Sequence, residues 1–421
     1  MNSKERGRRR FLKDGAAMAQ LGLAGLAAGT LRSAKAQTLG SETAEARAKD
    51  TRFYGERSRF VNSARTLVGT GPASNTPLQD SVGIITPSSL HYVVMRFRDE
   101  PPDIDPRQHR LVIHGMVDRP LIFTMEELKR MPSVSRIHFV ECAGNTSPVE
   151  RRSAKTVQET HGWTSCSEWT GVPLSLLLKE AGVQKGATWV VAQSADAGKH
   201  TKSIPMEKAM YDVLVAYGQN GEPVRPHQGF PLRLLVPGWE GVANVKWLRR
   251  IQVVDRSYMM KVESVDYTVL RPNMDGKALW YNFQLGPKSV ITFPSGGQRL
   301  RGRGFYEITG LAWSGGGTIR RVEVSTDGGR SWKDAQLQQP LHRIAHTRFR
   351  WDWNWDGEEA VLQSRCTDDQ GDVQPSVAQI SKQWGVTTDF WKETETRVNH
   401  WNAIHSWKVT RDGSVQNALF S

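Results

Sequence analysis

The sequence predicts an α+β protein of two folded domains, a mixed domain over residues 81–270 and a β-sandwich over residues 271–415. In the first part, apolar runs typical of strands alternate with short amphipathic helical stretches. In the second part, short β-rich runs recur between glycine-rich turns. A chain of 421 residues is long enough to give each part its own hydrophobic core.

Capping residues and apolar spacing locate the elements of the first domain. Thr124 is a good N-cap for a helix, because its hydroxyl can accept from the first turn of backbone N–H groups. The predicted helices are 125–129, 174–180 and 206–210. The predicted strands are 111–113, 188–192, 232–236 and 251–254.

The second domain is predicted to contain strands and turns without helices. Its clearest strands are 290–293, 306–313 and 319–325, separated by turns at 314–317 and 327–329. Trp351, Trp353 and Trp355 alternate at strand period, so they share one face. That face is either sandwich core or an exposed apolar interface, and the pattern leaves both open.

The N-terminal residues 1–36 have the pattern of a twin-arginine export signal. Arg8, Arg9 and Arg10 precede an apolar, Ala- and Gly-rich stretch, and residues 34–36 supply a small-residue cleavage site. We therefore expect a periplasmic protein, exported already folded, with an extended arm over residues 37–80. No later run is long enough to span a bilayer.

Charge argues against nucleic acid as a partner. The signal segment holds eight Lys or Arg and two Asp or Glu, so its removal lowers the formal charge from +13 to +7. The remaining positive charge is spread along the chain without a long basic run.

Three cysteines are too few for a disulfide framework, even in an exported protein. Cys142 follows an apolar strand-like run and precedes Gly144, which allows close approach of backbone to a ligand. Its thiolate would be a soft metal ligand or a nucleophile, whereas a buried, inert thiol is the alternative. For Cys166 we expect a packing role.

Several segments, in order, resemble the sulfite oxidase family of molybdenum enzymes, and within it the molybdenum subunits of bacterial sulfane dehydrogenases. The match covers most of residues 80–415. The first-domain segments are 84–88, 138–145, 169–174, 229–234, 236–241 and 244–248. In the second domain, 357–365, Asp368, 374–375, 402–404 and 406–409 resemble the Ig-like dimerisation domain of the family.

The resemblance implies that Cys142 binds molybdenum through its sulfur, in a centre also held by the dithiolene of a molybdopterin. Tyr267 matches the tyrosine near the metal, with packing between the domains as its alternative role. Arg96 is assigned as an arginine near the metal. The residues expected to contact the pterin and its phosphate are Asn145, Asp196, His227 or Gln228, Arg233, Asn244, Val245 and Lys246.

The resemblance implies oxygen-atom transfer from Mo(VI) to protein-bound sulfane sulfur, with electrons passing to a c-type cytochrome. That cytochrome must be a separate chain, because no Cys-x-x-Cys-His motif is present for a covalent haem. Thr146 and Ser147 stand where animal sulfite oxidases carry two arginines, which weakens free sulfite as the only substrate. Sulfite dehydrogenase remains the close alternative, followed by a periplasmic sulfoxide reductase and a non-enzymatic exported binding protein. A homodimer through the second domain is expected.

Overall fold

The computed structural model describes residues 57–419, apart from residues 70, 96–99, 280–282 and 397. The predicted export signal, the first part of the arm and Arg96 lie outside the described residues. From Ser63 onward the chain forms one compact unit. None of the described helices has the length and apolar character needed to cross a membrane.

Strands dominate the first part of the chain, where they form one antiparallel sheet and one mixed sheet, in which β3 and β12 are parallel. The strands are β1 Thr66–Leu67, β2 Ser74–Asn75, β3 Arg110–Gly115, β4 Leu121–Thr124, β5 Val134–Glu141, β6 Thr164–Pro173, β7 Trp189–Ser194, β8 Thr201–Pro205, β9 Leu214–Gln219, β10 Glu222–Pro223, β11 Arg233–Leu235 and β12 Leu248–Val254. One sheet has the order β10-β9-β6-β5, with β11 also on β9, and the other has the order β4-β3-β12-β7-β8.

The helices of this part are short, and their caps follow the sequence. They are α1 Met125–Arg130, α2 Pro148–Arg151, α3 Val157–His161, α4 Leu174–Ala181 and α5 Met206–Tyr211. Thr124 caps α1 in a reciprocal arrangement, because its hydroxyl accepts from the Glu127 N–H while the Glu127 carboxylate accepts from the Thr124 N–H. The three helices predicted in this domain are confirmed, as α1, α4 and α5.

Two further sheets make up the C-terminal part. After β13 Val269–Leu270 and β14 Ala278–Leu279, the strands are β15 Lys288–Phe293, β16 Gly304–Trp313, β17 Ile319–Ser325, β18 Lys333–Asp334, β19 Gln336–Leu337, β20 Thr347–Trp355, β21 Ala360–Asp368, β22 Ser406–Val409 and β23 Val415–Asn417. Their orders are β15-β16-β20-β19 and β18-β17-β21-β22-β23. Every neighbouring pair among them is antiparallel, as expected for a sandwich.

The expectation of a second domain without helices was wrong. Two helices follow β21, α6 Val377–Trp384 and α7 Phe390–Glu393. Ser376 caps α6, Ile380 and Trp384 lie one turn apart on its buried face, and Gly385 ends it with a left-handed φ of 68°. These helices pack a small aromatic core of their own, which includes Trp391 and Trp401.

The tryptophan face of β20 is mainly core. Trp353 and Trp355 are buried, at 7% and 4% exposure, and Trp351 packs against the same cluster. The argument for an exposed apolar patch at these residues is therefore wrong. The same cluster takes in Phe139 from β5 and Cys166 from β6, so the two parts of the chain share a continuous core.

Candidate functional site

Cys142 is the first residue after β5, and a short turn presents its thiol at the carboxyl end of that strand. The Cys142 N–H donates to the carbonyl of Trp163 at 3.0 Å. Asn145 braces the turn, because its Nδ2 donates to Glu141 Oε1 at 2.9 Å and its Oδ1 accepts from the Trp163 N–H at 3.1 Å. The sequence therefore fixes the direction of the Cys142 side chain through backbone and amide hydrogen bonds.

A cavity of about 100 Å³, partly open to solvent, lies against Cys142. Seven of the residues predicted for the site line it: Cys142, Asp196, Gln228, Arg233, Asn244, Lys246 and Tyr267. These residues are more than a hundred positions apart at the extremes of the sequence, and the fold brings them together around one cavity.

Arg233 is the buried cation of this cavity, at 1% exposure at the start of β11. Its Nη1 donates to the backbone oxygen of Gln228 at 3.0 Å and to Gln228 Oε1 at 3.3 Å, and its guanidinium lies 4.7 Å from the Trp169 ring. Its Nε has no partner within the described residues. Burial lowers the pKa of Arg233 to about 10. Its charge is poorly compensated, because the oxygens to which it donates are neutral.

Lys246 adds a second cation on the same wall. Its Nζ donates to the backbone oxygen of Val94 at 3.2 Å. Burial, followed by the neighbouring Arg233, lowers the pKa of Lys246 to about 7. Both cations therefore hydrogen-bond to neutral acceptors, and an anion entering the cavity would supply the missing negative charge.

Uncharged donors complete the wall near Cys142. Burial lowers the pKa of His91 to about 3, so its imidazole is neutral at physiological pH. Burial, and then Cys142, raises the pKa of Tyr92 well above its usual value, so its phenol stays protonated. Gln228 Nε2 donates to the Tyr92 backbone oxygen at 2.8 Å, which ties this segment to the arginine.

Asp196 and Asn244 are already engaged within the protein. Asp196 Oδ1 accepts from the Ser194 hydroxyl and from the His200 N–H, the latter at 3.3 Å. The Asn244 side chain accepts from the Val236 N–H at 2.8 Å and donates to the Glu240 backbone oxygen at 3.1 Å. These side chains therefore shape the cavity.

Three predicted residues do not line the cavity. Asn145 faces Glu141 and Trp163, Val245 is fully buried in the core, and His227 lies beside the cavity-lining Gln228. Between His227 and Gln228, the structure places Gln228 at the cavity. His91 and Tyr92 also line the cavity, and the sequence analysis predicted no role for them.

Gly241 approaches Cys142 closely. A methyl group at this position would lie 2.9 Å from Tyr92 Oη, 2.9 Å from the Glu141 backbone oxygen and 3.3 Å from Cys142 Cα. The first two distances are shorter than a side-chain carbon tolerates. Only glycine therefore fits at this position without a shift of Tyr92 or of the backbone at Glu141.

We expect Gly241→Ala to destabilise the protein by about 1–3 kcal/mol, as overpacking does. Cofactor content should fall as well, because the turn that carries Cys142 has to shift. Urea unfolding and metal analysis check this. Gly302→Ala is the control, because a methyl group at Gly302 meets nothing within 4 Å. Equal behaviour of the two variants would contradict a close fit at Gly241.

The donor set fits a pterin-held metal with a single protein ligand. Within the described residues, no group of three or more His, Cys, Asp or Glu could hold a metal ion. The poorly compensated side chains Arg233 and Lys246 suit the phosphate of a pterin cofactor.

Comparison with known proteins identifies the family. The family model for the oxidoreductase molybdopterin binding domain matches residues 98–261, and that for the Mo-co oxidoreductase dimerisation domain matches residues 280–399. The solved structure of the sulfane dehydrogenase SoxCD from Paracoccus pantotrophus is 38% identical, with a TM-score of 0.81. The match covers 88% of this chain and 94% of the chain in that structure. The chain belongs to the sulfite oxidase family of molybdenum enzymes. The predicted fold class, a molybdopterin-binding domain followed by a dimerisation domain, is confirmed.

Plant nitrate reductases are also relatives of this chain. The NADH nitrate reductase of Solanum lycopersicum is 34% identical over 77% of this chain, and nitrate reductase 2 of Nicotiana tabacum is 33% identical over 77%. The chain spans about 40% of the length of these curated relatives. These relatives therefore support the family, and the substrate of this chain is left to the proposal below.

The other two thiols lie in the hydrophobic core and do not line the cavity. Cys166 and Cys366 are buried, and none of the three cysteines forms a disulfide. Burial raises the pKa of Cys166 to about 12, so it stays a neutral thiol within the core.

We therefore expect Cys166→Ala to keep its molybdenum and most of its turnover, because only a small apolar contact is lost. Metal analysis and activity measurement check this. Loss of metal at unchanged thermal stability would contradict a packing role, and so would a disulfide between Cys166 and Cys142 in native protein.

Proposed function

We propose that the chain is the catalytic subunit of a molybdenum-dependent sulfane dehydrogenase. It oxidises sulfane sulfur carried on another protein and passes the electrons to a c-type cytochrome on a separate chain. The observation that carries the proposal is the thiol of Cys142 in the wall of a cavity with two poorly compensated cations, Arg233 and Lys246. The likeness to SoxCD over 88% of the chain supports the sulfur substrate.

When bound, the molybdenum cofactor supplies oxygen-atom transfer and accepts the two electrons released. The protein's own residues bind and orient the cofactor. Cys142 provides a soft thiolate ligand, and Arg233 and Lys246 bind the anionic part of the cofactor. Tyr92 and Tyr267 both line the cavity, and the protonated phenol of Tyr92 can donate to an oxygen there.

The turn after Cys142 favours a protein-bound sulfur over free sulfite. Thr146, which stands where animal sulfite oxidases have arginine, uses its hydroxyl to accept from Lys288 Nζ at 3.0 Å. Ser147 next to it is fully buried and uncharged. The turn therefore offers no guanidinium to bind free sulfite, which is a dianion. A sulfur on a carrier protein does not need such a contact, because the carrier itself can bind to the surface of this chain.

Sulfite oxidation is the second candidate, and the nitrate reductase relatives make nitrate the natural control. We propose to assay the full chain, loaded with cofactor, with a sulfane-loaded carrier, thiosulfate and sulfite as donors to a c-type cytochrome, and with nitrate as acceptor from a reduced dye. Cytochrome reduction that is fastest with the loaded carrier supports the proposal. Turnover with sulfite alone, or with nitrate alone, overturns it.

The location of the protein is also a proposal. A twin-arginine signal suits a chain that folds around an inserted cofactor before export, so we place the mature protein in the periplasm. A sulfur donor and a c-type cytochrome in the same compartment would then be accessible to the site.

We expect a homodimer through residues after about 275, because the dimerisation-domain model matches residues 280–399 and two-fold pairing is the commonest closed symmetry. Light scattering of the full chain should give twice the mass of one chain across micromolar concentrations. A strictly monomeric mass in fully active protein would contradict the expected dimer.

A further inference from the structure

A buried carboxylate lies directly before the metal-binding cysteine of the proposed site. Glu141 ends β5 and is 1% exposed. It accepts three side-chain hydrogen bonds, from Asn145 Nδ2 at 2.9 Å, from Trp313 Nε1 at 2.7 Å and from Lys288 Nζ. Two of these three donors come from the C-terminal domain.

The two donors from the C-terminal domain form one unit. Lys288 is the first residue of β15 and Trp313 the last residue of β16, and the antiparallel register places them directly opposite each other. Both are buried, at 1% and 0% exposure. A pair of facing residues at the end of a ladder therefore reaches across to the carboxylate beside Cys142.

The same domain also holds the far end of the cysteine turn. Lys288 Nζ donates to the Thr146 hydroxyl at 3.0 Å, and the His400 N–H donates to the Ala143 backbone oxygen at 2.8 Å. Thr146 has a left-handed φ of 67°, a conformation that a β-branched residue adopts only when its surroundings enforce it. Contacts from the C-terminal domain thus fix the turn on both sides of Cys142.

Stability alone does not explain a fully buried ion pair. Removing two charges from water is costly, and well-packed apolar residues at such places are often as stable or more stable. What a buried, hydrogen-bonded pair does supply is a single geometry, because each partner tolerates only one arrangement of its donors and acceptors.

We propose that Lys288 and Trp313 are positioning residues, through which the C-terminal domain orients Cys142 by way of Glu141. This gives the domain a second role besides dimerisation, as part of the scaffold of the metal centre. The inference rests on the proposed function only in taking Cys142 as the metal ligand. Partners of this kind around metal ligands typically change metal affinity or activity on the order of tenfold or more when removed.

The test compares two conservative variants in the same core. Trp313→Phe removes the N–H donor to Glu141 but keeps an aromatic ring. Trp407→Phe is the matched control, because Trp407 is equally buried in the same cluster and its Nε1 donates to the Ile291 backbone oxygen at 3.1 Å. Any general effect of losing a buried indole is therefore common to both variants.

Two readouts follow, and the first needs neither metal nor turnover. In full chain purified without cofactor, alkylation of Cys142 by iodoacetamide, followed by mass spectrometry, should change on the order of tenfold in Trp313→Phe and less than about twofold in Trp407→Phe. In loaded protein, the Mo(V) paramagnetic resonance spectrum should shift in Trp313→Phe alone.

Lys288→Met should change the alkylation rate in the same direction as Trp313→Phe, and if it fails to fold, Trp313→Phe decides alone. Equal alkylation rates and spectra for Trp313→Phe and Trp407→Phe would overturn the positioning role. Trp313 would then serve only to pack the core. Because alkylation is independent of substrate, that outcome is distinct from failure of the proposed sulfur oxidation, which the donor assays report.

Discussion

Replacing Cys142 with serine is expected to abolish turnover with every sulfur donor. Serine keeps the size of the side chain but replaces a soft, readily ionised thiol with a hard hydroxyl that is not ionised at neutral pH. The loss should exceed about 100-fold, beyond what removal of an outer partner of a metal ligand causes. Cytochrome reduction by the purified, loaded chain measures it.

The control for this variant is Cys166→Ala, which alters a thiol of the same chain that lies in the core. Unchanged turnover in Cys142→Ser would remove the thiolate from the mechanism and with it the assignment of the site. Pterin content should be measured in parallel, because Arg233 and Lys246 remain in place to bind the cofactor.

The second large effect is expected from Arg233→Met. Arg233 lies buried in the cavity, and its hydrogen bonds within the described residues go to neutral acceptors. Its charge is therefore available to an anionic cofactor, and removing one partner of a buried charge pair typically costs about 2–5 kcal/mol of binding. Purified Arg233→Met should retain little pterin or molybdenum.

Arg348→Met is a matched control for that variant. Arg348 is also buried, at 3% exposure, and burial also lowers its pKa to about 10. Its guanidinium donates to neutral acceptors as well, among them the Gly83 backbone oxygen at 2.7 Å, but it lies outside the cavity. We expect Arg348→Met to lose comparable stability and to keep its cofactor. Equal cofactor content in both variants would contradict a binding role for Arg233.

Local sequence signals predicted the elements that local interactions determine. Thr124 and the apolar spacing after it located α1, because a cap and its first turn lie within a few residues of each other. The missed helix α6 carries comparable signals, Ser376 as cap and Gly385 at its end, but it lies in a domain whose other apolar runs are typical of strands. That error was one of interpretation, because the sequence contains the information.

Contacts between distant segments were harder to predict. Alternation placed Trp353 and Trp355 on one face of a strand, but whether another layer covers that face depends on a sheet formed elsewhere in the chain. Tyr92 likewise reaches the cavity because its N–H donates to the Ser165 hydroxyl at 3.0 Å, across 73 positions of sequence. Cys142 and Arg233 were found through family motifs, and no periodicity would have brought them together.

The molybdenum–sulfur coordination number tests the account most directly. X-ray absorption at the molybdenum edge, on the full chain and on Cys142→Ser that retains metal, counts the sulfur atoms bound to the metal. We predict one sulfur fewer in the variant, because the dithiolene remains and the thiolate is lost. An identical sulfur count in the two proteins would contradict Cys142 as the ligand and with it the site described here.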